Sequence, residues 1–251
     1  MRLPDFLIAG APRSGTTWLY HLLARHPGVH MARPPRPEPK FFLADELYAR
    51  GLDWYSRTWF EHAAADAICG EKSTNYLESP AAARRIARDL PSVKLVFILR
   101  EPTERAWSNY LWSRMNGMES ESFERALALE DSRERNLPPQ RRFSRPHAYF
   151  SRGLYAALLQ PWFELFQRQN ILCLRCEDIA LQPRHLAERL HRFLGVPQRP
   201  HDADGLGVIN AADRKGAQQP APETLSRLRA RYAEPNRRLA GLVGPDFQIW
   251  S

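Results

Sequence analysis

The chain has few cysteines and no long apolar run, and each shortage excludes a class of protein. Cys69, Cys173 and Cys176 are too few for a disulfide framework in 251 residues. Cys173 and Cys176 have the spacing of half a zinc site, but no second pair accompanies them, so we expect buried thiols. No apolar run approaches the roughly 18 residues of a membrane-spanning helix, and the first apolar strand begins too early for a signal peptide. We therefore expect a cytoplasmic protein.

The charge balance is strongly basic. Lysine and arginine number 36 against 28 aspartates and glutamates, which gives a net charge of +8 and a pI near 9.7. Such a balance favours anionic partners such as nucleotides or acidic glycans. The basic residues are spread along the chain instead of forming one block, which argues against nucleic-acid binding. The length and composition predict a single domain over residues 1–251.

Lysine is scarce within this basic set. Only four of the 36 basic residues are lysines, namely Lys40, Lys72, Lys94 and Lys215. Lysine and arginine are not interchangeable, because the ammonium is a compact charge and the guanidinium a planar fork. The scarcity supports a specific role for lysines that fall within motifs.

Apolar strands alternate with helical patterns along the first two thirds of the chain. We predict strands at 6–9, 67–69, 95–99 and 171–174, a weaker one at 29–31, and helices at 17–25, 80–89, 102–115 and 154–168. This alternation predicts an α/β fold, a single-domain, P-loop-like, doubly wound parallel sheet flanked by helices. In such sheets ligands bind beyond the carboxyl ends of the strands, where polar residues follow each predicted strand here.

The remainder of the chain is predicted in less detail. Helices are expected at 179–194 and 222–242, with a loop rich in glycine and proline between them. Residues 131–147 are polar, rich in arginine and without periodicity, so we predict a mobile surface loop or lid. The aromatic cluster around Trp54 and Tyr55 is expected to pack in the core.

The segment 6–20, FLIAGAPRSGTTWLY, is the most informative part of the sequence. It predicts a strand, a loop between Gly10 and Gly15, and a helix N-terminus, where backbone N–H groups converge on an anion. The spacing is that of a Walker A loop, but Thr16 occupies the position of the lysine. Arg13 is the nearest replacement cation. The loop therefore fits a phosphate but not ATP or GTP hydrolysis.

A second motif follows the predicted strand 95–99. Arg100 lies at the end of the strand, and Ser108 lies two turns along the next helix. An arginine and a hydroxyl can bind a second phosphate. The alternative is an N-capped helix in which Glu101 and Glu104 pair with Arg105.

Together the two motifs resemble those of sulfotransferases that use 3′-phosphoadenosine 5′-phosphosulfate (PAPS). Those enzymes have a PRSGTTW-like 5′-phosphosulfate loop and an LRxPxxRxxSxY 3′-phosphate element, which match 12–18 and 99–110. The resemblance continues through EPKFF at 38–42 and GEKSTNY at 70–76, and covers essentially the whole chain in order. These short segments are most similar to the heparan-sulfate and bacterial branch.

The resemblance implies a role for each matching residue. Glu38 corresponds to the general base, with Arg13 and Lys72 acting on the transferred group and its leaving oxygen. The other residues implied in donor binding are Ser14, Gly15, Thr16, Thr17, Trp18, Arg100, Ser108, Arg214, Lys215 and Gly216. Lys40 and Tyr76 are implied near the acceptor. The product would be 3′-phosphoadenosine 5′-phosphate, and no metal is implied.

The acceptor and two alternative functions stay open at this stage. A basic cleft suits a glycan or lipid-linked sugar, and the aromatic segment suits a small phenolic acceptor. A P-loop small-molecule kinase is disfavoured because the Walker lysine is missing and the strand 95–99 ends in Arg100 instead of an aspartate. A non-catalytic protein that binds an anionic ligand is disfavoured by the retained glutamate and lysine of the motifs. The sequence does not indicate an oligomeric state.

Overall fold

The computed structural model describes residues 1–138, 143–207, 209 and 219–250. Its residues group into two compact units, which are described separately. The first unit comprises Met1–Leu99 and Leu159–Ile209, and the second comprises Arg100–Leu158 and Asn210–Ser251. The prediction of one domain over the whole chain stays a prediction.

The first unit contains a five-stranded parallel sheet. Its strands are β1 (Phe6–Gly10), β2 (Val29–Met31), β3 (Ile68–Lys72), β4 (Lys94–Leu99) and β5 (Ile171–Arg175), in the order β2-β3-β1-β4-β5. β1 is buried at every position, as expected for a central parallel strand covered on both faces. The strand order reverses at β1, which places the switch point of the sheet at its carboxyl end. The predicted α/β fold is confirmed.

Helices pack against this sheet. They are α1 (Thr16–Ala24), α2 (Asp45–Tyr48), α3 (Gly51–Phe60), α4 (Pro80–Asp89), α8 (Asp178–Leu181) and α9 (Pro183–Leu194). One face of α1 and of α9 carries apolar side chains at helical spacing, and these join the strands in the main core. The helix predicted at 179–194 is interrupted at Gln182, because Pro183 has no amide hydrogen to continue the preceding helix.

The second unit is helical. It contains α5 (Pro102–Met115), α6 (Phe123–Arg135) and α10 (Pro222–Val243), and α7 (Tyr155–Leu165) begins in this unit and ends in the first. Its own core is aromatic, with Trp107, Tyr149 and Tyr232 among its buried members. α6 extends five residues into the segment 131–147 that the sequence predicts as a loop. Residues 139–142 of that segment lie outside the described residues.

Two further features bear on the predictions. Of the aromatic cluster around Trp54 and Tyr55, Tyr55 and Phe60 are buried and the two tryptophans are partly exposed, and the Tyr55 ring stacks on Phe41 with centroids 4.3 Å apart. Within the residues that the structure describes, no helix is long and apolar enough to cross a membrane.

Candidate active site

The loop between β1 and α1 has the backbone of an anion-binding site. Gly15 is the N-cap of α1 and has φ 94°, and Arg13 has φ 66°. A Cβ at Gly15 would lie 2.5 Å from Cδ1 of Ile179, and the positive φ is strained for any residue with a Cβ, so the position favours glycine. The first turn of α1 has no acidic residue, and its leading amides have no intrahelical acceptor. The positive end of the helix dipole therefore faces the loop.

The side chains of this loop differ in exposure. Ser14 is fully buried and its hydroxyl lies 3.5 Å from the carbonyl of Pro12, and Thr16 is also buried. Arg13 and Thr17 are partly exposed. Trp18 is only 2% exposed and packs in the main core. The prediction that Trp18 binds the donor stays a prediction.

Glu38 and Lys72 meet at the same edge of the sheet. Lys72 ends β3, whose residues pair with those of β1, and its ammonium forms an ion pair and hydrogen bond with Oε1 of Glu38. The amide of Thr74 donates to Oε2 of Glu38 at 3.1 Å. The Lys72 side chain is 2% exposed and that of Glu38 is 14% exposed. Lys72 therefore lies at the end of the strand next to β1, which leads into the anion-binding loop, and the carboxylate of Glu38 reaches it from the loop after β2.

The loop that carries Glu38 is attached to the segment after β3 by further hydrogen bonds. The amide of Lys40 donates to the hydroxyl of Ser73 at 2.9 Å, and the amide of Phe42 donates to the hydroxyl of Tyr76 at 3.3 Å. The Lys40 side chain is partly exposed, in accord with a role beside an acceptor. Tyr76 is fully buried. Its hydroxyl is occupied by the loop backbone, and the prediction that Tyr76 lies near the acceptor stays a prediction.

The sequence analysis did not find Glu71, a fully buried carboxylate in β3. Its Oε2 accepts a hydrogen bond of 2.7 Å from the hydroxyl of Tyr55. Burial raises the pKa of Glu71 to about 7, against the lowering effect of hydroxyl hydrogen bonds from Tyr55, Tyr76 and Ser73. Glu71 lies two residues beyond the strand predicted at 67–69, because β3 extends to Lys72, and an acidic residue in the GEKSTNY segment was the available signal.

Arg100 and Ser108 belong to the second unit. Arg100 is partly exposed and donates to Glu104 at 3.2 Å, and Ser108 is buried in α5. Glu101 caps α5 by accepting from the amides of Thr103 and Glu104. The alternative pairing of these glutamates with Arg105 is not observed.

Arg105 itself lies fully buried and donates to the backbone carbonyls of Ala148 and Tyr149. The predicted donor-binding residues Arg214, Lys215 and Gly216 lie outside the described residues. Across the described part of the chain, no three histidine, cysteine, aspartate or glutamate side chains are grouped as a metal site would require.

Comparisons with known proteins agree on one family. The profile of the sulfotransferase domain matches residues 3–206. The bifunctional heparan sulfate N-deacetylase/N-sulfotransferase 1 of Caenorhabditis briggsae is 30% identical over 210 residues, which cover 80% of this chain and 23% of that protein. Heparan sulfate glucosamine 3-O-sulfotransferase 6 of Mus musculus is 31% identical over 265 residues, covering 98% of this chain and 73% of that protein.

A solved structure is similar over its whole length. The crystal structure of a sulfotransferase from Alicyclobacillus acidocaldarius matches with a TM-score of 0.79 at 27% identity, and 98% of each chain is covered. The chain spans about a quarter of the length of the bifunctional relative named above.

Proposed function

The chain belongs to the sulfotransferase family, and from this premise we propose that it transfers the sulfuryl group of PAPS to a hydroxyl or amino group of a glycan. The observation that carries the proposal is the Glu38–Lys72 pair beside the anion-binding loop. A base for the acceptor and a cation for the transferred group are the two side chains that this reaction requires.

PAPS supplies an activated sulfuryl group on a phosphate leaving group. The residues of this chain fit its 5′ end, since the loop 10–17 combines positive φ angles, a helix N-terminus and the cation Arg13. We propose that Arg13 stabilises charge on the leaving oxygen, and that Ser14 contributes through its backbone because its side chain is buried. Arg100, Ser108 and 214–216 are proposed to bind the 3′-phosphate.

We propose that Glu38 accepts the acceptor's proton as the new bond to sulfur forms and the bond from sulfur to the phosphate oxygen breaks. The electron pair of the broken bond stays on the leaving bisphosphate. Protonation of Glu38 neutralises its charge and weakens its pairing with Lys72. The ammonium then becomes available to the negative oxygens of the sulfuryl group. We propose that these cationic side chains, without a metal, neutralise the developing charge.

The names of two relatives and the charge of this chain support a glycan acceptor of the heparan sulfate kind. The net charge of +8 favours a polyanion. Arg33 and Arg36 are exposed in the same loop as Glu38, where they can contact anionic groups of a glycan. Whether oxygen or nitrogen is sulfated is left to the assay below. A cytoplasmic location stays a prediction.

The test is turnover of radiolabelled PAPS with purified protein. The acceptors are heparan oligosaccharides with free amino groups, the same oligosaccharides after N-sulfation, a lipid-linked sugar and a simple phenol. We expect label in an oligosaccharide, with activity unchanged by EDTA. Label only in the phenol would overturn the glycan assignment. A thermal shift with ATP and magnesium but none with 3′-phosphoadenosine 5′-phosphate would favour a kinase. Binding of 3′-phosphoadenosine 5′-phosphate without turnover of any acceptor would favour a non-catalytic protein.

A further inference from the structure

A buried layer of hydrogen bonds lies next to the Glu38–Lys72 pair. At its centre is Glu71, which shares its face of β3 with Cys69 and Ser73 by the alternation of the strand. The hydroxyl groups of Tyr55, Ser73 and Tyr76 act on its carboxylate, although Oε1 receives no well-aligned hydrogen bond. All four side chains are fully buried.

Two of these hydroxyls also hold the loop of Glu38. The Ser73 hydroxyl accepts from the amide of Lys40, and the Tyr76 hydroxyl accepts from the amide of Phe42. Because a backbone amide can only donate, each hydroxyl must point its own hydrogen elsewhere. Both hydroxyls lower the pKa of Glu71, whose Oε1 is a buried acceptor without a hydrogen-bond partner, and they also interact with each other. The negative charge of Glu71 therefore attracts the hydrogens of these hydroxyls away from the loop amides.

The loop needs such support. Lys40 has φ 50°, a left-handed conformation that is strained for a residue with a Cβ. Glu38 lies two residues before Lys40, so a change in this backbone moves the proposed base. A displacement of about 1 Å at a reacting group is enough to lower turnover about a hundredfold.

We propose that Glu71 is a positioning residue for Glu38: its buried charge orients the hydroxyl hydrogens of Ser73 and Tyr76 and so directs their lone pairs to the amides of Lys40 and Phe42. The role of Glu38 as base rests on the proposed function. The hydrogen-bonded support of the loop does not, and it can be measured without turnover.

The support depends on the charge of Glu71. The titratable groups that act on this carboxyl are Tyr55 from α3, Tyr76 from the 3-10 helix Thr74–Glu78, and Glu38 from the loop, while Cys69 acts on Tyr55. Burial raises the pKa of both tyrosines well above the ordinary value, so they stay donors. Protonation of Glu71 converts one acceptor position into a donor. The loop therefore loses support as the pH falls through the pKa of Glu71, about 7.

The first experiment measures kcat from pH 5.5 to 9 with saturating PAPS and the acceptor found above. The wild type is expected to lose turnover through a step near pH 7. Glu71→Gln imitates the protonated form, so its kcat is expected to be about tenfold to a hundredfold lower at pH 8, with no step near pH 7. A Glu71→Gln profile that matches the wild type would overturn the proposal.

A second variant tests the carboxyl of Glu71 by shifting the pH at which kcat changes. Tyr55→Phe removes a hydrogen bond that lowers the pKa of Glu71 but does not contact the loop backbone. Its step is expected at higher pH than in the wild type, with similar kcat at pH 9. Tyr48→Phe is the matched control, because Tyr48 packs on Phe41 in the same aromatic cluster but bonds to Asp89. An unmoved step in Tyr55→Phe would assign the step to another group.

Hydrogen exchange separates failure of this inference from failure of the proposed function. At pH 8 the amides of Lys40 and Phe42 are expected to exchange about tenfold or more faster in Glu71→Gln than in the wild type. Affinity for 3′-phosphoadenosine 5′-phosphate is expected to be unchanged, which also shows that the variant is folded. Equal exchange rates in both proteins would overturn the positioning role, whether or not PAPS is a substrate.

Discussion

At the scale of single residues, the carboxylate of Glu38 is the side chain on which the proposed reaction depends. A hydroxyl acceptor is a poor nucleophile unless its proton is accepted as the new bond forms, and general-base assistance is typically worth about 10²–10⁴-fold. Glu38→Gln keeps the shape and removes the base. We expect kcat to fall by about that factor, while calorimetry gives nearly unchanged affinity for 3′-phosphoadenosine 5′-phosphate.

The matched control for this variant is Glu46→Gln. Glu46 is an exposed glutamate of α2, so the same chemical change there is expected to leave kcat unchanged. If Glu38→Gln turns over at the wild-type rate, the base is another group. Loss of nucleotide affinity in Glu38→Gln would instead indicate that the carboxylate supports the donor loop.

A second prediction at the scale of single residues concerns Gly15. Gly15→Ala places a methyl group against Ile179 and forces alanine to adopt φ 94°. Gly51 has a similar φ of 80° but open space around it, so Gly51→Ala carries the backbone strain without the clash. We expect Gly15→Ala to lower affinity for 3′-phosphoadenosine 5′-phosphate at least tenfold, measured by calorimetry, and Gly51→Ala to leave it unchanged. Equal effects would mean that strain alone, and not the shape of the loop, is responsible.

At the scale of elements, sequence periodicity predicted the parts that follow regular patterns. The five strands are found where apolar runs occur, and α5 begins at a Glu-Pro pair whose acid caps it. α3 and α6 were missed, because each has only a few buried positions and these pack on partners that are distant in sequence. The same holds within the site. Glu38 and Lys72 are 34 residues apart, and only the family resemblance placed them together.

The prediction at the scale of elements concerns Arg100, which lies just before α5. Arg100→Ala removes a guanidinium proposed to contact the 3′-phosphate, and such a charge-assisted contact is worth about 1.5–3 kcal/mol. We expect about tenfold to a hundredfold weaker binding of 3′-phosphoadenosine 5′-phosphate, and little change for AMP, which lacks that phosphate. Arg125→Ala, an exposed arginine of α6, is the control for lost net charge. An equal loss for both nucleotides would contradict the assignment.

At the scale of the whole molecule, two buried groups give stability opposite dependences on pH. Burial raises the pKa of Glu71 from 4.5 to about 7, and burial together with the neighbouring His26 lowers the pKa of His191 from 6.5 to about 4. Between about pH 4.5 and 6.5 the folded protein holds one more proton than the unfolded chain at Glu71 and one fewer at His191. The first difference makes unfolding free energy fall as pH rises, and the second makes it rise, so the two slopes cancel.

When either side chain is replaced, the pH dependence of the unfolding free energy that the other one causes is no longer cancelled. From pH 4.5 to 7, the unfolding free energy of Glu71→Gln relative to the wild type is expected to rise by about 3 kcal/mol, since one pKa unit is worth about 1.4 kcal/mol. That of His191→Gln is expected to fall by a similar amount from pH 4 to 6.5. Urea unfolding at half-unit pH intervals measures both. His185→Gln, on the exposed face of α9, is expected to follow the wild type. Parallel curves for Glu71→Gln and the wild type would mean that this carboxyl has an ordinary pKa in the folded protein, and the step in kcat near pH 7 would then belong to a different group.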